Sequence, residues 1–386
     1  MNKRPFIILL AFLLLFSLIE KGQATETYRP ETSVAGFIQL PGSGRQVYNF
    51  NPGWRFFRGD VRGAEVVNFD DRSWNVVSTP HTVELMPAEG SGCRNYQGPA
   101  WYRKRFVLPA ETKGQRVVLH FEAAMGKQIL YLNGKRIQEH LGGYLPFTLD
   151  LTANGVQAGD SCLLAVFTDN SDDKSYPPGK RQYTLDFAYH GGIYRDVWMI
   201  AKSPVAITDA IDSQTVGGGG VFIHFDKISE KSAQVYVNTE VQNDDARSES
   251  VTVETTLTDA DGKVIKRSSG KLSLKPGEKK SICQQMEVKN PTLWSPDTPY
   301  LYRVQSRIKK GNKSIDGGIT RVGIRLAEFR GKDGFWLNGK PFGQLVGANR
   351  HQDFAYVGNA LPNSQQWRDA KRLRDAGCTI IRVAHY

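Results

Sequence analysis

Cysteine is scarce in this chain: there are four (Cys93, Cys162, Cys283 and Cys378) in 386 residues, with no C-x-x-C pair and no metal-ligand spacing. That pattern speaks against a metal-binding module and against a disulfide framework. Three of the four lie in strand-like stretches, which suits buried thiols. Missing too are the Ala/Glu/Lys/Leu blocks of an all-helical protein, internal repeats, and any low-complexity tract beyond Gly217 to Gly220. Past the N-terminus, no apolar run approaches the roughly 20 residues that a spanning helix needs. The formal charge is +11, but basic residues are interleaved with acids, as in Asp71-Arg72 and Arg368-Asp369. A nucleic-acid partner would call for a concentrated basic patch. A solvated surface fits better.

What is present suits a globular chain of two or three domains, 40% hydrophobic and 11% aromatic. Lys3-Arg4, the apolar run from Pro5 to Ile19, and Gly22-Gln23-Ala24 have the layout of a secretory signal peptide. Residues 1–24 are therefore expected to be removed and the product to be periplasmic or secreted, with no stable membrane anchor. A membrane anchor is the alternative, and the run is short for one.

From about Phe37 to Lys202, short apolar or alternating runs recur: Val47 to Phe50, Trp101 to Leu108, Arg116 to Glu122, Gln128 to Leu132, Cys162 to Thr168 and Val197 to Ile200. Asn133-Gly134 and Asn154-Gly155 mark turns, and Lys127 to Ile137 reads as a hairpin. Such spacing predicts a jelly-roll β-sandwich over 25–202. A second set of strands (Gln234 to Glu240, Ser250 to Thr258, Lys280 to Val288, Tyr300 to Ile308) predicts an immunoglobulin-like β-sandwich over 203–325, without the Cys and Trp spacing of antibody domains. Phe335 to Pro341 is another Asn-Gly hairpin.

The final stretch changes period. Gly343 to Ala348 reads as a buried strand that runs into Asn349-Arg350-His351. Ser364 is placed to cap a helix carrying Trp367, Ala370, Leu373 and Ala376, with Gly377 to end it. Cys378 to Val383 then forms a second strand leading to Ala384-His385-Tyr386. Strand, helix, strand is one βαβ unit. Each strand releases a histidine at its C-terminal end, the face on which parallel α/β barrels place their chemistry. The overall class is mainly β, with 326–386 as the incomplete start of a (β/α)8 barrel.

Several motifs occur in one order: Trp54-Arg55-Phe56, Phe69-Asp70-Asp71 with Ser73-Trp74, Thr79-Pro80-His81-Thr82, Ala100 to Lys104, Gly191-Gly-Ile-Tyr-Arg-Asp-Val197, Leu293-Trp-Ser-Pro-Asp297 with Pro299 to Tyr302, Gly323-Ile-Arg325, Gly347 to His351, and Arg382 to Tyr386. Together they resemble glycoside hydrolase family 2, in particular the exported β-galactosidases of Bacteroides-like bacteria. The resemblance implies a hydrolase (O-glycosyl hydrolase) acting on β-galactoside oligo- or polysaccharides. It also implies that His351 and His385 hydrogen-bond the non-reducing sugar, that Asp186 lends a carboxylate from the sandwich, and that Asn349, Arg350 and Arg382 support the pocket floor. Asp186 as a turn residue and Arg382 as a structural ion-pair partner are the alternatives. No metal site is read from the sequence, though relatives can hold a cation beside the sugar.

Retaining enzymes of this kind use two carboxylates roughly 5–5.5 Å apart. The resemblance places both on later barrel strands, so neither catalytic glutamate is expected within these residues. A part of a longer protein is therefore expected, inactive alone, with its last sixty residues poorly stable. A catalytically inactive carbohydrate-binding protein is a second reading. A β-glucuronidase is a third, disfavoured because those enzymes resemble Asn-Lys-His where this chain has Asn349-Arg350-His351, and a β-mannosidase is disfavoured further.

Overall fold

The computed structural model describes residues 39–86, 95–177 and 179–383; the expected signal peptide, Cys93 and His385 lie outside them. The chain is mainly β. Two antiparallel sheets come first. Four strands run in the order Gln46–Asn49, Val197–Lys202, Arg116–Phe121, Phe147–Asp150, and six in the order Asn75–Val77, Trp54–Arg58, Pro99–Val107, Ser161–Asp169, Lys127–Leu132, Lys135–Leu141. Alternation along each strand sends every second side chain inward. In Lys127–Leu132 the inward set is Gln128, Leu130 and Leu132, all buried. Leu130 and Leu132 join Trp54, Tyr102, Leu119, Phe121 and Val197 in one core drawn from both sheets. The predicted hairpin closes at Asn133 and Gly134, both at positive φ (50° and 82°), as a type I′ turn requires.

The second pair of sheets follows the same rule. Ser232–Asn243 is flanked by Val221–Asp226 and Lys279–Lys289 and also pairs with Val205–Ile207; the facing sheet runs Val264–Leu274, Glu249–Thr258, Tyr302–Lys310, Lys313–Val322. Their inner faces meet in clusters around Val237, Leu257, Met286 and Val304, and around Val241, Val253 and Ile308. Of the three described cysteines, Cys162 is a buried thiol, Cys283 faces solvent and Cys378 is half-buried. Cys283 sits at an outward position of its strand, so the expectation from strand context fails there.

A buried ion pair joins the two sandwiches. Asp316, fully buried on Lys313–Val322, accepts hydrogen bonds from Arg45 Nε and Nη2 at 2.8 Å each, and from the Ile207 backbone N–H at 2.7 Å. Burial opposes the Arg45 charge, and the Asp316 carboxylate more than restores it, raising the Arg45 pKa.

In the C-terminal stretch, Gly347–Arg350 and Ile380–Val383 pair in parallel across the helix Asn363–Asp375. The βαβ unit is present, and among the described residues its two strands form no closed barrel. The first strand starts four residues later than expected and takes in Asn349 and Arg350. Ser364 does not cap the helix: Pro362 occupies that position, with no side-chain cap bond. The other end is as read. Gly377 (φ 91°) follows Ala376, and Cys378 N–H reaches back to Leu373 O at 3.0 Å, a Schellman closure. No helix residue is buried, and Trp367 is 65% exposed. Among the described residues, no helix is long and apolar enough to cross a membrane.

Removing one partner of a buried pair strands the other charge, at a cost of about 3–5 kcal/mol. Asp316→Ala should lower stability by that order in urea denaturation, and Arg45→Met with Asp316→Leu should recover much of it. Three partly or fully buried histidines set a pH dependence. His81, whose Nδ1 lies 2.8 Å from the Tyr102 hydroxyl, has its pKa pushed down by burial to about 4, against about 6.5 unfolded. The unfolded chain binds the extra proton between those values, so stability falls as pH drops through that window. Burial lowers His140 and His190 in the same direction. Melting temperature should decline from about pH 6.5 to 4, and less steeply in His81→Phe.

Candidate functional site

The segment Gly191-Gly-Ile-Tyr-Arg-Asp-Val197 shows why each of its residues is there. At Gly192 (φ 112°), a methyl group would lie 2.5 Å from the Tyr102 hydroxyl and 2.7 Å from His81 O. Ile193 and Tyr194 are buried, and the Tyr194 hydroxyl donates to Gly143 O. Arg195 and Asp196 reach out of the sandwich to the C-terminal stretch. Arg195 Nη2 donates to Gln352 Oε1 at 2.9 Å and Nη1 to Leu361 O at 3.4 Å. Asp196 accepts from Asn51 through Oδ1 at 2.8 Å and from Asn363 through Oδ2 at 3.0 Å.

Residues 351–363 are thereby seated on the first sandwich. Tyr356 O accepts the Met86 N–H at 2.7 Å. Ala360 packs into a cluster with Met125, Phe187, Tyr189 and Tyr194. Gly358 lies against His190, where a Cβ would come within 2.3 Å of ring Cδ2. Burial lowers the His190 pKa, and Asp353 and a hydrogen bond with Asn359 partly offset that.

The loop before the motif is braced as well. Buried Gln182 takes its backbone bond to Asp172 Oδ1 at 2.9 Å and accepts Tyr189 N–H at 2.7 Å, while Asn170 Nδ2 donates to Tyr189 O at 2.7 Å. Asp186 is exposed on this loop, next to buried Phe187. The Phe187 ring lies 5.9 Å from that of His351. The loop of Asp186 and the tip of the first parallel strand thus adjoin, although the two are 165 positions apart in the chain.

Other candidates fall on two faces. Asn349 and Arg382 are register partners, and Arg382 Nη1 donates to Asn349 Oδ1 at 3.2 Å. Successive strand residues point oppositely, so Arg350 turns to the helix and pairs with Asp369 at 2.6 Å. Arg350 therefore braces strand against helix. His385 lies outside the described residues. Phe187, Gln352, His190 and Asn359 were not expected from the sequence; Arg195 and Asp196 were quoted as motif residues without a role. Among the described residues, no group of three or more His, Cys, Asp or Glu side chains could hold a metal ion. A depression of about 630 Å³ opens elsewhere and is lined by Arg116, Asp150, Lys202, Asp212 and Asp244, among others. Its charged groups pair with one another, as Arg116 does with Asp150, Asp212 and Asp244.

Comparison with known proteins settles the family. The sugar-binding domain of glycosyl hydrolases family 2 matches residues 66–204, and the family 2 domain that follows it matches residues 219–325. The chain belongs to glycosyl hydrolase family 2. It is 33% identical over 344 residues to a β-galactosidase of Thermoanaerobacter pseudethanolicus, covering 89% of this chain and 44% of that protein. It is 32% identical over 364 residues to a β-glucuronidase of Formosa agariphila, covering 90% and 36%. Among solved structures, β-glucuronidase 2 of Bacteroides uniformis superposes with a TM-score of 0.79 at 32% identity, covering 89% of this chain and 40% of that one. A putative β-galactosidase from Bacteroides fragilis gives 0.78 at 31% identity, covering 89% and 50%. The chain spans half or less of each of these relatives, and both activities occur among them.

The seat of residues 351–363 can be tested at Gly358. Gly358→Ala sets a methyl group against the His190 ring in a left-handed conformation, a strain of about 1–3 kcal/mol. Amide exchange should accelerate in residues 351–363 while the second sandwich stays protected.

Proposed function

We propose that the full-length protein is an exo-acting, retaining β-glycosidase that hydrolyses terminal β-galactosides, exported by virtue of Lys3-Arg4 and the apolar run after it. The observation that carries this reading is the junction of Phe187 and His351. It brings the loop that carries Asp186 against His351, the residue that follows the strand holding Asn349. A sugar hydroxyl needs polar groups on a rigid support, and here both sides are braced. The strand is held by its parallel partner and by Arg350–Asp369; the loop is held by Gln182 and Asn170. In this scheme His351, Asp186 and His385 bind and orient the non-reducing sugar. The acid/base and nucleophilic carboxylates come from the larger part of the relatives to which this chain has no counterpart, and the reaction retains configuration through a glycosyl-enzyme intermediate.

β-Glucuronidase activity is a second reading, supported by the Formosa agariphila and Bacteroides uniformis relatives. Asn349-Arg350-His351 favours the first, since glucuronidases resemble Asn-Lys-His there.

The test is turnover of chromogenic β-galactoside and β-glucuronide by the full reading frame, beside the 386-residue chain. Full-length protein should hydrolyse the galactoside and the short chain neither substrate. Asp186→Ala and His351→Ala should each lower kcat/KM at least about tenfold, about 1.4 kcal/mol of transition-state binding. A clear preference for the glucuronide would transfer the assignment to the second reading; no turnover of either would defeat both.

A further inference from the structure

Pro99–Val107 presents two faces. Tyr102 points into the core between the sheets, while Trp101, Arg103 and Arg105 point outward under the segment 59–74. On this outer side a depression of about 600 Å³ is lined by Arg55, Arg72, Arg103 and Arg105 with Asp70 and Asp71. Four guanidinium groups thus face two carboxylates, and the carboxylates are already engaged. Asp71 Oδ2 accepts both Arg103 Nε at 2.8 Å and Arg105 Nη1 at 2.6 Å. Asp70 is chelated by Arg72 at 2.8 and 2.7 Å. Both Asp71 oxygens lie on a buried residue, whereas Arg105 is half exposed.

Arg103 provides the second observation. It is fully buried; Nε goes to Asp71 and Nη1 to the carbonyls of Ala64 and Val66, yet Nη2 has no hydrogen-bond partner among the described residues. A buried charged donor left unmatched is costly, and here it belongs to a side chain that lines a depression with surplus positive charge. Arginine forks suit planar or tetrahedral oxyanions, which accept two parallel N–H bonds.

We propose that this basin is an oxyanion-binding site, built from none of the residues at the Asp186–His351 junction, that takes a sulfate, phosphate or carboxylate group. Arg103 forms its fixed wall, held by Asp71 and two carbonyls. Arg55, Arg72 and Arg105 form its adjustable rim. An anion there would bring a counter-charge to a depression whose two lining acids, Asp70 and Asp71, are already paired, and its affinity falls with ionic strength, as for any partly exposed charge pair. The site is independent of the glycosidase reading and stands or falls apart from it.

The experiment is calorimetric titration of the 386-residue chain with sodium sulfate, against sodium chloride at matched ionic strength. Arg55→Gln and Arg105→Gln are the variants, chosen because neither side chain is fully buried, with circular dichroism confirming their fold. Saturable one-to-one sulfate binding is expected, at least about tenfold weaker in each variant, about 1.4 kcal/mol. A parallel arm compares a uronate-containing oligosaccharide with a neutral one of equal length. Tighter binding of the acidic oligosaccharide than of sulfate makes the anion saccharide-borne, and equal binding makes it a free ion; both support the site. No heat beyond the chloride control, or equal affinity in wild type and variants, overturns it.

Discussion

The arrangement at the candidate sugar site depends on one clamp. Arg195 and Asp196, consecutive residues just before a core strand, hold Gln352, Leu361 and Asn363 on either flank of the loop after the first parallel strand. The next residue, Val197, begins a strand wholly buried in the first sandwich, and the clamp is anchored there. The short parallel pair buries little surface itself, and its strands and helix present apolar groups such as Trp367, Ile380 and Val383 to solvent. Its position relative to Asp186 is set from outside, by the sandwich.

The same economy of charged anchors recurs. Asp316 ties Arg45 to the linker at Ile207, and Asp71 ties Arg103 and Arg105 to the segment 59–74. In both, a buried carboxylate is met by two or more donors, the condition under which an ion pair in a low-dielectric interior holds its geometry. The motif residues that identify the family are therefore mostly builders. Phe69-Asp-Asp71 and Ala100 to Lys104 are two halves of one buried contact, and Gly192 is where the backbone passes under Tyr102.

Much of the fold was legible because local chemistry and tertiary demand agree. Asn133-Gly134 and Asn338-Gly339 carry positive φ where the sequence placed hairpin turns, and strands with strict alternation, such as Tyr302–Lys310, sit where expected. Strands were missed where local signals conflict with the ladder. Val264–Leu274 contains Ser-Ser-Gly and exposes most of its side chains, so its place comes from pairing with Glu249–Thr258. Lys313–Val322 contains Asp-Gly-Gly, a turn signal by itself; it runs extended because Asp316 is satisfied by Arg45 and Gly317 allows Ser306 O to approach. Ser364 looked like a cap, but the helix begins two residues earlier than that cap would set it, at Asn363 behind Pro362.

By itself the sequence determined the class: period-two runs broken by Asn-Gly turns can bury their apolar sides only by pairing sheets, and the period change near Gly343 can yield only a helix between parallel strands. The order of polar groups along the chain was also written there. Which way those groups face was decided in three dimensions. A one-residue difference between Asn349 and Arg350 sends one side chain toward Arg382 and the other to Asp369 on the helix, because neighbours on a strand point to opposite sides. That the loop of Asp186 adjoins His351 follows from a ring contact, Phe187 with His351, across 164 positions of chain, and pattern in sequence does not reach that far.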